Sequence, residues 1–174
     1  MLIDFSFLAT TSRGNEGRAS YELLHLFEEI GDSTPAVKRT GVSGLIAIKT
    51  ALNPFEAIEK LRIILSEHPY EFRYTLRVIP IERVVRTDLA QIRQAAIELS
   101  SRIAENETFR ITVEKRFTEI STNDIIKTIA ADIQRKVNLS KPDKILLIEI
   151  IGGLTGISLA NPNDILSILK EKML

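Results

Sequence analysis

The segment from Phe109 to Asn161 constrains the fold most, because three pieces with different hydrophobic periods follow one another in it without a gap. Phe109, Ile111 and Val113 alternate with Arg110, Thr112 and Glu114, the period of a half-buried strand whose polar face carries Arg110 and, two residues past its end, Arg116. Lys115 and Arg116 stand where that strand runs out. Ser121 can cap a helix whose third position is Asp124, with Ile125, Ile126, Ile129, Ile133 and Val137 as its apolar stripe. Lys141-Pro142-Asp143 stops the chain, and Ile145 to Ile151 is an apolar run that fits a buried strand. Gly152 and Gly153 turn it back, so that Thr155 to Ala160 is expected as its hairpin partner.

The same periods divide the first half. Leu2 to Thr10 fits a strand, and Arg18 to Ile30 a helix with Ala19, Leu23, Leu24, Phe27 and Ile30 on one face and Gly31 at its end. Pro35 to Thr40 and Leu45 to Lys49 read as two short strands joined at Gly41 to Gly44. Asn53-Pro54-Phe55-Glu56 has a cap residue, a proline at the first helical position and a carboxylate at the third. That helix should bury Ala57, Ile58, Leu61, Ile64 and Leu65, and Phe72 to Ile79 should be the closing strand. Strand, helix, strand, strand, helix, strand is the order of a ferredoxin-like domain. The fold class expected is α+β, a ferredoxin-like domain over 1–80 and a second domain over 81–174. The polar, proline-containing stretch Pro80 to Arg86 is the expected boundary, with Thr87 capping the next helix.

The second half resembles the THUMP domain, a module of tRNA-modifying enzymes. The resemblance runs from the helix near Asp88 to Ala160. It rests on the basic pair after the first strand (Lys115, Arg116), on Val137, Leu139, Pro142 and Asp143, which fit a Val-x-Leu-x-x-Pro-Asp segment, and on the strand Ile148-Glu149-Ile150. In the family the module engages the acceptor arm and 3′ end of tRNA.

Length and composition are those of two small packed domains, 174 residues with 44% apolar and 26% charged. No apolar stretch approaches the roughly 18 residues that a membrane span needs, and no leader pattern is present, so a cytoplasmic protein is expected. With no cysteine and two histidines, disulfides, thiolate nucleophiles and nearly all nitrogen or sulfur metal sites drop out, and no cofactor is expected.

Net charge is zero, so a nucleic-acid surface has to be local. From Arg73 to Arg93 there are Arg73, Arg77, Arg83, Arg86 and Arg93 against Glu82 and Asp88. Adding Arg110, Lys115 and Arg116, then Lys127, Arg135, Lys136 and Lys141 from the following helix and turn, outlines a positive surface on one side of the second domain, and the RNA-binding candidates are Arg83, Arg86, Arg110, Lys115, Arg116 and Lys141. Glu107, Glu114, Glu119 and Asp132 stand close enough in sequence to neutralise much of it. Phe117 could stack on a base, although a core position is the expectation. Gly152-Gly153-Leu154-Thr155-Gly156 lies between two strands and lacks the lysine of a phosphate loop, so a hairpin turn is expected. Arg13-Gly14-Asn15-Glu16-Gly17 is expected as a turn with a helix cap, and it is the one anion-friendly loop of the first domain.

No paired carboxylates or glycine-rich nucleotide fingerprint mark a catalytic site. After Ala160 the chain holds room only for a capped turn at Asn161-Pro162 and a short helix through Leu169. The build is similar to stand-alone THUMP adaptors that present tRNA to a separate cytidine acetyltransferase. The resemblance thus implies a tRNA-binding accessory protein, not an enzyme, whose partners are tRNA and a separate tRNA-modifying enzyme. The alternative is a ligand-sensing or assembly module built on ferredoxin-like units.

Overall fold

In the computed structural model, which describes residues 2 and 4–173, the chain forms two compact units. The first takes residues up to Ile81 together with those from Asp164 on; the second is Glu82–Asn163.

The first unit runs β1 (Phe7–Thr11), α1 (Glu16–Glu29), β2 (Ala36–Arg39), β3 (Leu45–Lys49), α2 (Pro54–Glu67) and β4 (Thr75–Pro80). Its strands lie in the order β4-β1-β3-β2 with every neighbour antiparallel, the ferredoxin-like arrangement. Asn53 caps α2 by accepting from the amides of Phe55 and Glu56, as its spacing from Pro54 implies. The α2 stripe Ala57, Ile58, Leu61 and Leu65 is buried, and it shares one core with Phe7, Phe27, Ile46, Ile48 and Val78. The Glu22 carboxylate ties α1 to the start of β4, accepting from the amides of Arg73, Tyr74 and Thr75 and from the Thr75 hydroxyl. The first strand is shorter than its apolar run, since it begins at Phe7; Ile3 of the expected strand lies outside the described residues. The closing strand is shorter too, because Pro69–Glu71 makes a single 3-10 turn before it.

The second unit runs β5 (Arg83–Arg86), α3 (Leu89–Ser100), β6 (Thr108–Glu114), α4 (Thr122–Ala130), β7 (Lys136–Val137), β8 (Lys144–Ile151) and β9 (Leu154–Ala160). The sheet order is β5-β9-β8-β6-β7, with β6 parallel to both β8 and β7 and the remaining pairs antiparallel. Ile92, Ala96 and Leu99 of α3 and Ile125 and Ile129 of α4 cover Phe109, Leu146, Ile148, Ile150, Ile157 and Leu159 in one core. Asp88, not Thr87, caps α3, accepting from the Ala90 amide, while the Thr87 hydroxyl meets that of Thr155 at 2.9 Å. Ser121 caps α4 through the Asp124 amide.

Three expectations about segments are corrected. Pro80 to Arg86 does hold the boundary, between Ile81 and Glu82, but it is not an unpaired linker: Arg83–Arg86 is an edge strand in register with β9, and its alternate residue Val85 reaches the core. Val137 does not continue the α4 stripe, because the helix stops at Ala130 and Val137 lies exposed in β7, paired with Phe109. The last residues do not complete the second domain. After a 3-10 turn at Pro162–Asp164, β10 (Leu166–Ser167) adds to the free edge of β4, and α5 (Ile168–Lys172) follows. Leu166 and Ile168 are buried in the first core, each such side chain contributing about 1.5–3 kcal/mol. Arg62 bonds Glu171 at 3.1 Å, and Lys172 Nζ donates to the Phe72 carbonyl at 2.9 Å. Among the described residues no helix is long and apolar enough to cross a membrane.

Candidate nucleic-acid interface

Strand register divides the six basic candidates between the two ends of the second sheet. Arg86 pairs with Leu154, Leu154 with Ile151, and Ile151 lies two residues beyond Glu149, the partner of Glu114. Arg86, Lys115 and Arg116 therefore gather at the end where β8 turns into β9. At the opposite end Arg110 pairs with Ile145, and Lys141 precedes β8. The ends are about 20 Å apart along β6, and Arg86 on β5 is about 14 Å across the sheet from β6. The candidates thus form two separate groups, with Arg83 between them.

Their commitments differ as much as their positions. Arg116 turns inward: its Nη1 lies 2.8 Å from Glu149 Oε2, with the side chains 18% and 5% exposed. Its carbonyl accepts from the Gly152 amide at 2.7 Å, so one residue fastens the turn after β6 both to β8 and to the β8–β9 hairpin. Lys115 is exposed and donates from Nζ to the Ile120 carbonyl at 3.0 Å. Arg110 donates to the Leu139 carbonyl at 2.8 Å, and Arg83 pairs with Glu98 of α3 at 2.7 Å. Arg86 and Lys141 are exposed, and their cationic groups have no ion pair among the described residues. Two groups not marked by their sequence as a set, Arg93 and Asp132, also form an ion pair.

Phe117 overturns the expectation that it lies in the core. It is 75% exposed, and its φ of 60° puts it in the left-handed region, where it is the one non-glycine residue so placed among those described. Alternation along β6 would have carried 115 and 117 to the core side after Phe109, Ile111 and Val113. The strand ends at Glu114, and the left-handed residue breaks the alternation.

The sequence pattern also hid the role of Glu149. One carboxylate inside the apolar run Ile145 to Ile151 was its only signal, and a buried carboxylate in such a run demands a cationic partner. Asp143 of the Pro-Asp pair is structural. It accepts from the Thr108 amide at 2.8 Å and hydroxyl at 3.1 Å, fastening the start of β6 to the start of β8. Those two bonds hold its carboxyl below the usual aspartate range. Glu82 receives both arms of Arg102 at 2.6 Å and the Leu159 amide at 2.9 Å, and the bond from Arg102 raises the guanidinium pKa further above its ordinary value. In the first unit the anion-friendly loop is already filled by its own side chain. The Glu16 carboxylate takes the amides of Gly44 and Gly14, each at 2.9 Å, and those bonds, Gly44 first, lower its pKa. Gly44 has φ +74°, and a Cβ there would stand 2.6 Å from the Thr11 carbonyl oxygen. The glycine is what lets this backbone approach Thr11 at the end of β1.

Gly152 and Gly153 form the tight connection between β8 and β9, a hairpin turn as their position between two strands implied.

No curated protein matches the sequence. Among solved structures, PH1313 from Pyrococcus horikoshii Ot3 superposes with a TM-score of 0.62 at 16% identity, covering 88% of this chain and 53% of that one. TrmN from Thermus thermophilus gives 0.57 at 15% identity, with 90% and 46% covered. A 4-thiouridine synthetase in complex with RNA and bound ATP gives 0.56 at 15% identity, with 94% and 42% covered. The chain therefore spans about half the length of the structures it resembles, and at these identities the likeness is one of fold. The THUMP domain family matches residues 86–160, from the last residue of β5 to the end of β9. Residues 86–160 are a THUMP domain, in a chain whose other unit is ferredoxin-like.

Proposed function

We propose that this protein is a tRNA-binding accessory protein of the cytoplasm that holds the acceptor arm and 3′ end of tRNA for a separate modification enzyme, a cytidine acetyltransferase. The observation that carries the reading is the THUMP domain over 86–160. Two structures of like fold support it by what they are, TrmN and a 4-thiouridine synthetase bound to RNA. Nearly all of this chain superposes on about half of each, so the part shared is the part we assign to holding RNA. The exposed cations Arg86, Lys115, Arg110 and Lys141 are the groups available for phosphates. Arg83 and Arg116 can reach one only by sharing or leaving a carboxylate.

Holding substrate accelerates a partner through effective concentration, because an adaptor that grips tRNA and touches the enzyme makes their encounter nearly intramolecular. The chain alone then leaves tRNA chemically unchanged, with acetyl-coenzyme A, S-adenosylmethionine or ATP present.

Titration with tRNA and with double-stranded DNA of equal length, at several salt concentrations, tests the RNA reading. A surface that reads A-form shape and an RNA end prefers tRNA. With about 4–6 phosphates contacted, log affinity should fall against log salt with a slope of roughly −3 to −6. Equal affinity for the two nucleic acids, or indifference to salt, would refute it. The acetyltransferase partner is tested separately, by whether loss of the gene removes acetylated cytidine from tRNA.

A further inference from the structure

Phe117 carries two costs at once. Its ring stands in water, and its backbone is left-handed, which the Cβ of an L-residue disfavours. Such a conformation persists only where its surroundings determine it. Here they do: Arg116 is held at its guanidinium by Glu149 and at its carbonyl by Gly152, Lys115 Nζ bonds the Ile120 carbonyl, and the Ile120 amide bonds Thr118 Oγ1 at 3.3 Å. The ring is thus presented outward on a braced turn, and ordering it on contact with a ligand costs little.

Charge does not account for the segment. From Glu114 to Glu119 the two cations are matched by Glu114 and Glu119, and Arg116 is already bound to Glu149. What remains distinctive is one free aromatic face. The other strongly exposed aromatics, Tyr21 and Tyr70, each pack edge-on against a histidine, His25 and His68, whereas Phe117 has no ring partner among the described residues. A flat apolar face beside a lysine suits a nucleobase whose own face is free, which excludes bases inside a duplex.

We propose that Phe117 is a stacking platform for an unpaired nucleobase, so that the turn after β6 reads single-stranded RNA and not duplex phosphates. The proposal rests on the RNA-binding reading above and adds the feature of the RNA that is read at this turn.

The chain has no tryptophan, so Phe117→Trp places a single fluorescent reporter at the site. The probes are an RNA hairpin with a short single-stranded 3′ tail and the same hairpin with a blunt end. Stacking quenches the indole fluorescence of the Phe117→Trp variant with the tailed RNA only. Phe117→Ala weakens the tailed RNA by about 5- to 150-fold, the range for one stacked base, and leaves the blunt RNA unchanged. Phe117→Leu, which keeps bulk without a π-face, behaves like the alanine variant. All three changes are on the surface, and unchanged denaturation midpoints confirm the fold. Wild-type affinity of Phe117→Ala for the tailed RNA, or equal losses for both RNAs, would overturn the stacking role while leaving RNA binding intact. Failure of the wild-type chain to bind either RNA would overturn the RNA reading itself.

Discussion

The Arg116 guanidinium lies 2.8 Å from the Glu149 carboxylate, joining the turn after β6 to β8. The carboxylate is almost fully covered. The pair also separates two neighbours that read alike in the sequence: Lys115 faces water and Arg116 faces the protein.

Replacing Arg116 by Ala should therefore cost about 1–3 kcal/mol of stability, because it removes a charge-assisted bond to a buried carboxylate, whereas Lys115→Ala should cost less than about 0.5 kcal/mol. Urea denaturation of the two variants measures the difference. A loss for Arg116→Ala no larger than that for Lys115→Ala would mean that the pair does not hold the turn.

The first unit should show a carboxylate effect with a defined pH window. Asp32 is buried, and its carboxyl is held below the ordinary aspartate value, chiefly by the Thr50 hydroxyl at 2.5 Å and next by the Thr34 amide. A lowered folded-state pKa contributes stability that is fully present above the unfolded value of about 3.9 and is lost as pH falls through the folded one. Thr50→Val removes the main cause and also leaves the Leu52 amide without its hydroxyl acceptor. The variant should lose about 2 kcal/mol near pH 7. Melting curves from pH 7 to 3 should show the gap to wild type narrowing at the acid end; a gap of constant size would show that the ionised carboxylate is not its source.

The two ends of the second sheet should contribute unequally to RNA binding. Arg86→Ala with Lys115→Ala removes two cations from the end that carries Phe117, and Arg110→Ala with Lys141→Ala removes two from the other. The first pair should weaken tRNA binding about tenfold or more, as expected for two charge-assisted contacts, and the second less. Matched losses from two folded double variants would indicate that total charge alone matters.

Much of this architecture was legible along the chain. Asn53-Pro54 and Ser121 mark helix starts because capping is a contact between residues two or three apart. The β8–β9 hairpin was legible because Gly152-Gly153 interrupts two apolar strands. The THUMP words from Lys115 to Ile150 were legible as an ordered set, and the family match spans them. The site is less legible: the basic residues cluster along the sequence but fall at two ends of the sheet, and nothing in the local pattern marks Phe117 as exposed.

The elements, their order and the family of the second half rest on spacings of a few residues, and the chain carries those openly. The partners those elements take are fixed by contacts between distant segments. Arg83–Arg86 became an edge strand because β9 offered a ladder in register, and Leu166 and Ile168 returned to the first unit because β4 had a free edge and its core had room. Arg116 turned inward because Glu149, 33 positions further along the chain, sits one strand away in the parallel register. Such choices depend on long-range pairing and on which face of a strand is covered, and a shift of one residue in register reverses every face, so no local pattern can state them.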